Sequence, residues 1–256
     1  MESDLLSQRE IRRYDRQIMI PDLGLKGQEA LKKAKVLVAG AGGLGCPVLQ
    51  YLTAAGVGRI AIAEFDMVGE SNLQRQVLYG TSDVGKLKSI IAKSRLEHLN
   101  PNVEFEILNI RLEKNNAISA ISNYDIIVDA TDNLESRYVI NDSCVSLNKP
   151  MVHGSIYKFE GLISVFNYQG GPTYRCYNPS GPEGNFRNPV PSEVGLLGVL
   201  PGITGTYMAN EVIKIITGIG EVLAGKILLV NILNNTFRTF TVNNIPENHK
   251  IRNLNI

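Results

Sequence analysis

Short apolar runs alternate with helical patterns through the first 156 residues of the chain. The runs are rich in Val, Ile, Leu and Ala and predict buried strands at 36–40, 59–66, 103–110, 125–130 and 150–156. The segments between them predict helices, at 45–55, 84–99, 114–122 and 134–147. Two more short helices are predicted within 9–33, where Pro21 and Gly24 interrupt the pattern. This alternation favours a parallel sheet covered by helices on both faces.

The pattern changes after residue 156. The runs at 161–168 and 172–177 predict antiparallel strands, whereas 178–195 carries four prolines and three glycines and excludes a regular element. A helix near 202–217 and strands at 226–233 and 237–242 follow. No repeat or linker separates two cores. We therefore predict an α/β fold with a doubly wound, Rossmann-like, mostly parallel sheet that antiparallel strands extend in the C-terminal half.

Composition narrows the class of protein. The 256 residues are 44% hydrophobic and 20% charged, which is typical of a globular protein. A net charge of +1 gives no electrostatic attraction to nucleic acid or to an anionic membrane. The charged N-terminus lacks the apolar stretch of a signal peptide, and three cysteines make no disulfide framework. We expect a soluble cytoplasmic protein that binds neither nucleic acid nor membrane.

A glycine-rich turn ends the first predicted strand. Residues 36–45 read VLVAGAGGLG, and their glycines fit G-x-G-x-x-G, a turn that presents backbone N–H groups to a phosphate at a helix N-terminus. The alternative is that these glycines only allow tight packing. At the end of the next strand, Glu64 has the spacing of a ribose-binding carboxylate, and Asp66 lies two residues further on the same face.

Further charged and amide side chains follow at strand ends. The segment SNLQRQ (71–76) supplies an amide and a guanidinium, Lys88 supplies a point charge, and DATDN (129–133) places Asp132 and Asn133 just past a strand. An aspartate there can hold Mg²⁺ on a triphosphate. Each residue alone could be a solvated surface group. A NAD-dependent oxidoreductase would explain the glycines but would leave this set without a purpose, so the set favours phosphoryl chemistry.

These blocks resemble a known family. In order, RYDRQ (13–17), GAGGLGCP, EFD, SNLQRQ, VGKLK and DATDN resemble the ThiF/MoeB/HesA family, which is related to ubiquitin-activating enzymes. The likeness covers about residues 13 to 240, and the later blocks GSIYKFEG, GVLPGITG and ANEVIK look most like the MoeB branch, which serves molybdopterin synthase. The resemblance implies one adenylation domain over 1–256. Its parts would be N-terminal helices (9–33), a nucleotide-binding half (34–156) and a carrier-binding half (157–245) that contains a crossover loop (178–200).

The resemblance implies an ATP-dependent reaction. A small ubiquitin-like sulfur carrier, similar to MoaD or ThiS, would present its C-terminal Gly-Gly. Its carboxylate would attack the α-phosphate, pyrophosphate would leave, and the acyl-adenylate would receive sulfur from a separate rhodanese or cysteine desulfurase in molybdopterin or thiamine biosynthesis. The alternatives are adenylation of a peptide or small carboxylate, and a non-catalytic module that binds a ubiquitin-like protein.

The resemblance also implies roles for individual residues. Arg16 would reach the neighbouring subunit's site in a homodimer, Arg75 and Lys88 would contact phosphates, and Asp132 would hold Mg²⁺. The nucleotide-binding set is predicted to comprise Gly40, Gly42, Gly43, Gly45, Glu64, Asp66, Ser71, Asn72, Leu73, Gln74, Arg75, Lys88, Asp132 and Asn133.

The chain departs from the family pattern at three places. Glu64 stands where aspartate is usual, and its longer arm can still accept from ribose. Of the two C-x-x-C pairs that bind zinc in many members, only Cys176 remains, with Thr173 at the leading position, so no structural zinc is expected. By register, Pro191, followed by Ser192 and Glu193, stands where the crossover loop of the family usually has a cysteine. Adenylylation does not need that cysteine. Core packing is expected for the thiols of Cys46 and Cys144, and a strand position for Cys176.

Overall fold

The structure, a computed structural model, describes residues 5–181 and 195–250. Its strands form one eight-stranded sheet in the order β3-β2-β1-β4-β5-β6-β7-β8. They are β1 (Lys35–Ala39), β2 (Arg59–Ala63), β3 (Glu104–Leu108), β4 (Ile126–Asp129), β5 (Met151–Tyr157), β6 (Glu160–Phe166), β7 (Lys226–Asn231) and β8 (Thr236–Thr241). In this order, the first five strands, β3-β2-β1-β4-β5, pair in parallel. The strands β5, β6, β7 and β8 pair antiparallel. The predicted mixed sheet is confirmed.

Helices cover both faces of this sheet. They are α1 (Gln8–Arg13), α2 (Asp15–Ile18), α3 (Gly24–Lys33), α4 (Gly45–Ala55), α5 (Lys88–Leu99), α6 (Ala117–Ile121), α7 (Leu134–Ser146), α8 (Tyr174–Tyr177) and α9 (Val199–Thr217). Short 3₁₀ turns lie at Glu70–Asn72, Thr81–Asp83 and Pro246–His249. Within the described residues, no helix has the length and apolar content that a membrane span requires.

The two faces of the sheet support two separate cores. Val36 and Val38 of β1 pack with α4, α5 and α9, whereas Leu37 and Ala39 of the same strand pack with α6 and α7. This alternation follows from the two-residue period of a strand, with both faces buried as in other doubly wound sheets. The apolar runs of the sequence therefore correspond to strands that are hydrophobic on both sides.

Two local predictions were wrong. The 9–33 region forms three helices, because a break at Tyr14 separates α1 from α2. The segment 172–177 is not a strand, since its last four residues form the single turn α8. Tyr174 in α8 is fully buried against Tyr138, His153 and Phe166, and this aromatic packing outweighs the strand preference of the segment. The crossover positions Pro191, Ser192 and Glu193 lie outside the described residues.

Candidate active site

A cavity of about 610 Å³ opens at the carboxyl ends of β1, β2 and β4. Its walls include the loops after β1, β3 and β4, the end of β2 and the hairpin of β5 and β6. Because β2 and β4 pair with opposite edges of β1, the loops that follow these strands diverge and leave a crevice. Open α/β sheets bind ligands in a crevice of this kind.

The glycine loop forms one wall of the cavity. Gly40, Gly42 and Gly43 line it, and Gly45 begins α4 directly behind them. Gly40 has φ = +95°, and a Cβ atom on Gly45 would lie 2.0 Å from the Gly40 carbonyl oxygen. The loop is therefore closed so tightly that side chains are excluded at both positions. The N-terminus of α4 adds a field that favours an anion here.

Two carboxylates, Glu64 and Asp66, follow the end of β2, and Asp66 contacts a lysine. Glu64 is buried, and its carboxylate accepts from the N–H groups of Ala41, Phe65 and Asp66 at 2.8–2.9 Å. Asp66 is exposed, and its Oδ2 lies 3.3 Å from Nζ of Lys88, the first residue of α5. Since Lys88 is buried and Asp66 compensates its charge from the open side, a cation is held at the cavity wall.

The segment 71–76 reaches the cavity with its last two residues. Arg75 and Gln76 line the cavity, and Nη1 of Arg75 donates to the Ser71 carbonyl at 3.0 Å. Asn72 instead accepts from the Gly69 N–H at 3.1 Å, which closes the 3₁₀ turn. Leu73 is partly buried and packs against the core on the face of the sheet that α4, α5 and α9 cover. The turn thus places the Arg75 side chain beside the glycine loop, with its Cδ 3.6 Å from the position of a Cβ on Gly43.

The loop after β4 contributes an exposed carboxylate. Asp132 and Asn133 both line the cavity, and Asn133 caps α7 by accepting from the Ser136 N–H at 2.9 Å. Within residues 5–181 and 195–250, no group of three or more His, Cys, Asp or Glu side chains could hold a metal ion. One carboxylate beside a phosphate site nevertheless fits Mg²⁺, which takes most of its ligands from phosphates and water.

The structure brings many of the predicted site residues together and leaves others apart. Those that line the cavity are Gly40, Gly42, Gly43, Glu64, Asp66, Arg75, Lys88, Asp132 and Asn133. Those that do not line it are Arg16, Gly45, Ser71, Asn72, Leu73 and Gln74. Arg16 is exposed on α2, where its guanidinium contacts the Met19 sulfur at 3.6 Å. The roles of all these predicted site residues toward a nucleotide stay predictions.

Sequence reasoning missed a buried pair beneath the loop after β4. His153 Nδ1 lies 2.7 Å from Asp129 Oδ2, and Asp129 Oδ1 accepts from the N–H and the hydroxyl of Thr131. Burial opposes ionisation of Asp129, but the bonds from His153 and Thr131 and the charge of Arg137 outweigh it and lower its pKa. Burial also lowers the pKa of His153. The pair is therefore an ionised aspartate and a neutral histidine that donates from Nδ1.

Arg137 and Gln76 were missed as well. Arg137 is buried on α7, lines the cavity and donates from Nη2 to the Thr131 carbonyl at 3.3 Å. Its Nε and the Oε1 of Gln76 are buried without a partner in the described part of the chain. Buried polar atoms of this kind are costly unless a ligand or water satisfies them. Gln76 ends the SNLQRQ segment, which could have indicated it, whereas Arg137 lies in no pattern that the sequence alone reveals.

Cys176 lies in the turn α8 and not in the predicted strand, and its thiol is hydrogen-bonded. Cys176 Sγ accepts from the N–H groups of Thr173 and Ile245, both at 3.4 Å, and from Asn248 Nδ2 at 3.6 Å. Burial opposes ionisation, but these bonds and that of the Thr173 hydroxyl outweigh it and lower the pKa of Cys176. Cys46 and Cys144 are buried as predicted. Burial raises the pKa of Cys46 to about 12.

Comparison with known proteins adds to this geometry. A model of the ThiF family matches residues 14–251. A sulfur carrier protein adenylyltransferase from Thermus thermophilus is 49% identical over 245 residues, which cover 93% of this chain and 89% of that protein. A probable molybdopterin-synthase adenylyltransferase from Porphyra purpurea is 47% identical over 91% of this chain and 61% of its own length.

Other relatives are longer than the matched region or more distant. A probable adenylyltransferase/sulfurtransferase MoeZ from Mycobacterium tuberculosis is 46% identical, and the match covers 97% of this chain but 64% of that protein. Among solved structures, Escherichia coli MccB with MccA-N7isoASN superposes with a TM-score of 0.80 over 94% of this chain and 74% of MccB. Its 21% identity bears on the fold alone.

Proposed function

The chain belongs to the ThiF family, and on that premise we propose that it is an adenylyltransferase that activates a small ubiquitin-like sulfur-carrier protein. The observation that carries this proposal is the convergence of the glycine loop, Arg75, Lys88 and Asp132 on one cavity. A nucleoside triphosphate needs backbone N–H groups, cations and a magnesium-binding carboxylate at the same place. The name of the Thermus thermophilus relative, which the chain matches over most of its length, supports the carrier as the substrate.

The proposed reaction joins two anions. The C-terminal glycine carboxylate of the carrier attacks the α-phosphorus of ATP, the bond from that phosphorus to the bridging oxygen breaks, and pyrophosphate leaves. Charge neutralisation and alignment therefore supply the catalysis. Lys88 and Arg75 are assigned to the phosphates, because each lines the same cavity as Gly42 and Gly43.

Asp132 is assigned to Mg²⁺, which would draw negative charge from the phosphates when bound. Asp132 is exposed and lines the cavity, and among the described residues its carboxylate accepts only a long contact of 3.5 Å from Nδ2 of Asn133. It is therefore free to take a cation together with a nucleotide.

Glu64 is assigned to the ribose. Its carboxylate is already oriented by three backbone N–H groups, and each oxygen can accept more than one hydrogen bond. Asp66, which pairs with Lys88, would lie beside it. Ser71, Asn72, Leu73 and Gln74 are proposed to form the turn that presents Arg75.

We propose a homodimer in which Arg16 of each chain completes the partner's site. Within the chain, Arg16 does not line the cavity, and its guanidinium is exposed on α2. A closed two-fold dimer, the commonest oligomer, would present the same arginine to both cavities.

The carrier tail is proposed to enter from the side of β5 and β6. The nucleotide-binding half (34–156) forms the other walls, whereas Tyr157, Glu160 and Leu229 line the cavity from the 157–245 half. The name of the Porphyra purpurea relative favours a MoaD-like carrier in molybdopterin biosynthesis. The next step, sulfur transfer to the adenylate, is assigned to a separate rhodanese or cysteine desulfurase.

Exchange of pyrophosphate into ATP tests this function. We expect exchange with Mg²⁺ and a MoaD-like carrier, and none with a carrier that lacks its last glycine, because the attacking carboxylate is then misplaced. Asp132→Asn should lower exchange at least about 100-fold, whereas Glu97→Gln, which alters an exposed carboxylate paired with Lys93 outside the cavity, should not. Exchange that needs no carrier would point to a small carboxylate instead, and exchange with a ThiS-like carrier alone would point to the thiamine pathway.

A further inference from the structure

Three side chains from outside the bend of the glycine loop hold the backbone of Ala41. Its N–H donates to Glu64 at 2.9 Å. Its carbonyl oxygen accepts from the Tyr79 hydroxyl at 2.8 Å and from Cys46 Sγ at 3.4 Å. Ala41 is fully buried and Tyr79 is nearly so. Both peptide groups that flank Ala41 are therefore fixed.

The Ala41 carbonyl sets the direction of the next N–H. The carbonyl of Ala41 and the N–H of Gly42 belong to one planar trans peptide, so they point in opposite directions. The carbonyl points toward Tyr79 and the core, whereas Gly42 lines the cavity. In the described part of the chain, the N–H groups of Gly42 and Gly43 donate to no protein acceptor. They are the donors that a bound anion would use.

The two donors to Ala41 differ in strength. A hydroxyl is a much better donor than a thiol, and the Tyr79 bond is also the shorter one. Burial raises the pKa of Tyr79 and of Cys46, so both groups keep their protons. Without the hydroxyl, the Ala41 carbonyl would be buried with only a weak thiol partner, and the peptide would gain by tilting toward water in the cavity.

We propose that Tyr79 is a positioning residue for phosphate binding, because its hydroxyl holds the Ala41 carbonyl inward and thereby directs the Gly42 N–H at the phosphates of ATP. This inference rests on the proposed function, since it takes ATP as the ligand. Tyr79 itself does not line the cavity and acts only through the loop.

Tyr79→Phe tests the inference by removing one oxygen atom. Titration calorimetry should show ATP affinity weakened about three- to tenfold, the usual range for one neutral hydrogen bond, with adenosine affinity unchanged. In pyrophosphate exchange, the KM for ATP should rise by a similar factor while kcat changes less. Tyr124→Phe is the matched control. It also removes the hydroxyl of a buried tyrosine, but this hydroxyl donates to Glu106 on β3 at 2.7 Å and not to the glycine loop.

The outcomes separate this inference from the proposed function. Unchanged ATP affinity in Tyr79→Phe, or equal losses for ATP and adenosine, would overturn the positioning role while the wild type still exchanges pyrophosphate. A wild type that neither binds ATP nor exchanges pyrophosphate would refute the proposed function and this inference with it. If Tyr79→Phe does not fold, Cys46→Ala should show a smaller loss confined to ATP, and no such loss would equally overturn the inference.

Discussion

His153 Nδ1 lies 2.7 Å from Asp129 Oδ2, although the residues are 24 positions apart in the chain. They meet because they occupy paired positions of the parallel strands β4 and β5. The second oxygen of Asp129 holds Thr131, the residue that precedes Asp132. The backbone that carries Asp132, the carboxylate assigned to Mg²⁺, is therefore anchored by the buried carboxylate of Asp129 through Thr131.

This pair predicts a pH dependence of stability. Burial depresses the pKa of His153, so below about pH 6.5 the unfolded chain binds a proton that the native chain does not. The histidine thus contributes stability above that pH, and the contribution is lost as the pH falls. His153→Gln keeps a donor for Asp129 but removes this titration. Its urea midpoint should fall less between pH 7.5 and 5.5 than that of the wild type.

The matched control for this prediction is His98→Gln, at an exposed position of α5. It should retain the wild-type pH dependence. Equal slopes in wild type and His153→Gln would contradict a buried neutral histidine. Asp129→Asn should lower the free energy of unfolding by about 1.5–3 kcal/mol, because the neutral amide replaces the charged acceptor of the His153 and Thr131 hydrogen bonds.

The buried pair also shows where sequence reasoning stops. The apolar runs and the glycine turn were enough to predict the parallel half of the sheet, because strands buried on both faces leave a clear pattern. Asp129 and His153 carry no spacing signal, since their contact depends on the register of β4 against β5. Residues that reach the cavity from loop ends, such as Arg75 and Lys88, were predictable because they follow strands or turns directly.

The prediction of a strand at 172–177 was wrong for a different reason. Its composition, PTYRCY, favours a strand, and the sequence gives no sign that Arg175 forms two bonds of 2.7–2.8 Å with Asp142 on α7. Those bonds and the burial of Tyr174 hold the segment as the turn α8. Long-range packing overrode the local preference for a strand, and a short stretch of sequence does not show such packing.

Lys88→Ala and Arg75→Ala should each slow exchange at saturating carrier. Each removes a cation from the cavity wall, and loss of one preorganised charge stabiliser costs about 2–4 kcal/mol in the barrier. Lys93→Ala is the control on the same helix, because Lys93 faces Glu97 at 3.7 Å and does not line the cavity. Its rate should equal that of the wild type. Wild-type rates in Lys88→Ala would remove that lysine from the phosphate site.

The cysteines should be dispensable for adenylylation. A variant with Cys46→Ala, Cys144→Ala and Cys176→Ser should still form acyl-adenylate, measured by mass spectrometry of the carrier in a single turnover. We expect stability losses of about 1 kcal/mol for each buried sulfur, comparable to one buried methylene. A folded variant that binds ATP but makes no adenylate would show that a thiol takes part.

The same thiols should differ in reactivity. Iodoacetamide should modify Cys176 first in the native protein, since that thiol is partly exposed and hydrogen bonds lower its pKa. Cys46 and Cys144 are buried, and burial raises the pKa of each. Peptide mapping after brief alkylation measures this order, and earlier labelling of either buried thiol would contradict it.

Mixing two inactive mutants tests the assembly. If Arg16 acts across a two-fold interface, Arg16→Ala and Asp132→Ala homodimers each lack one component in both sites. A mixed dimer regains one site with both residues intact. At equal mixing half of the dimers are mixed, and each has one good site of two, so exchange should recover to roughly a quarter of wild type. Native mass spectrometry must show subunit exchange in the same sample. No recovery despite proven exchange would mean that Arg16 acts within its own chain or has another role.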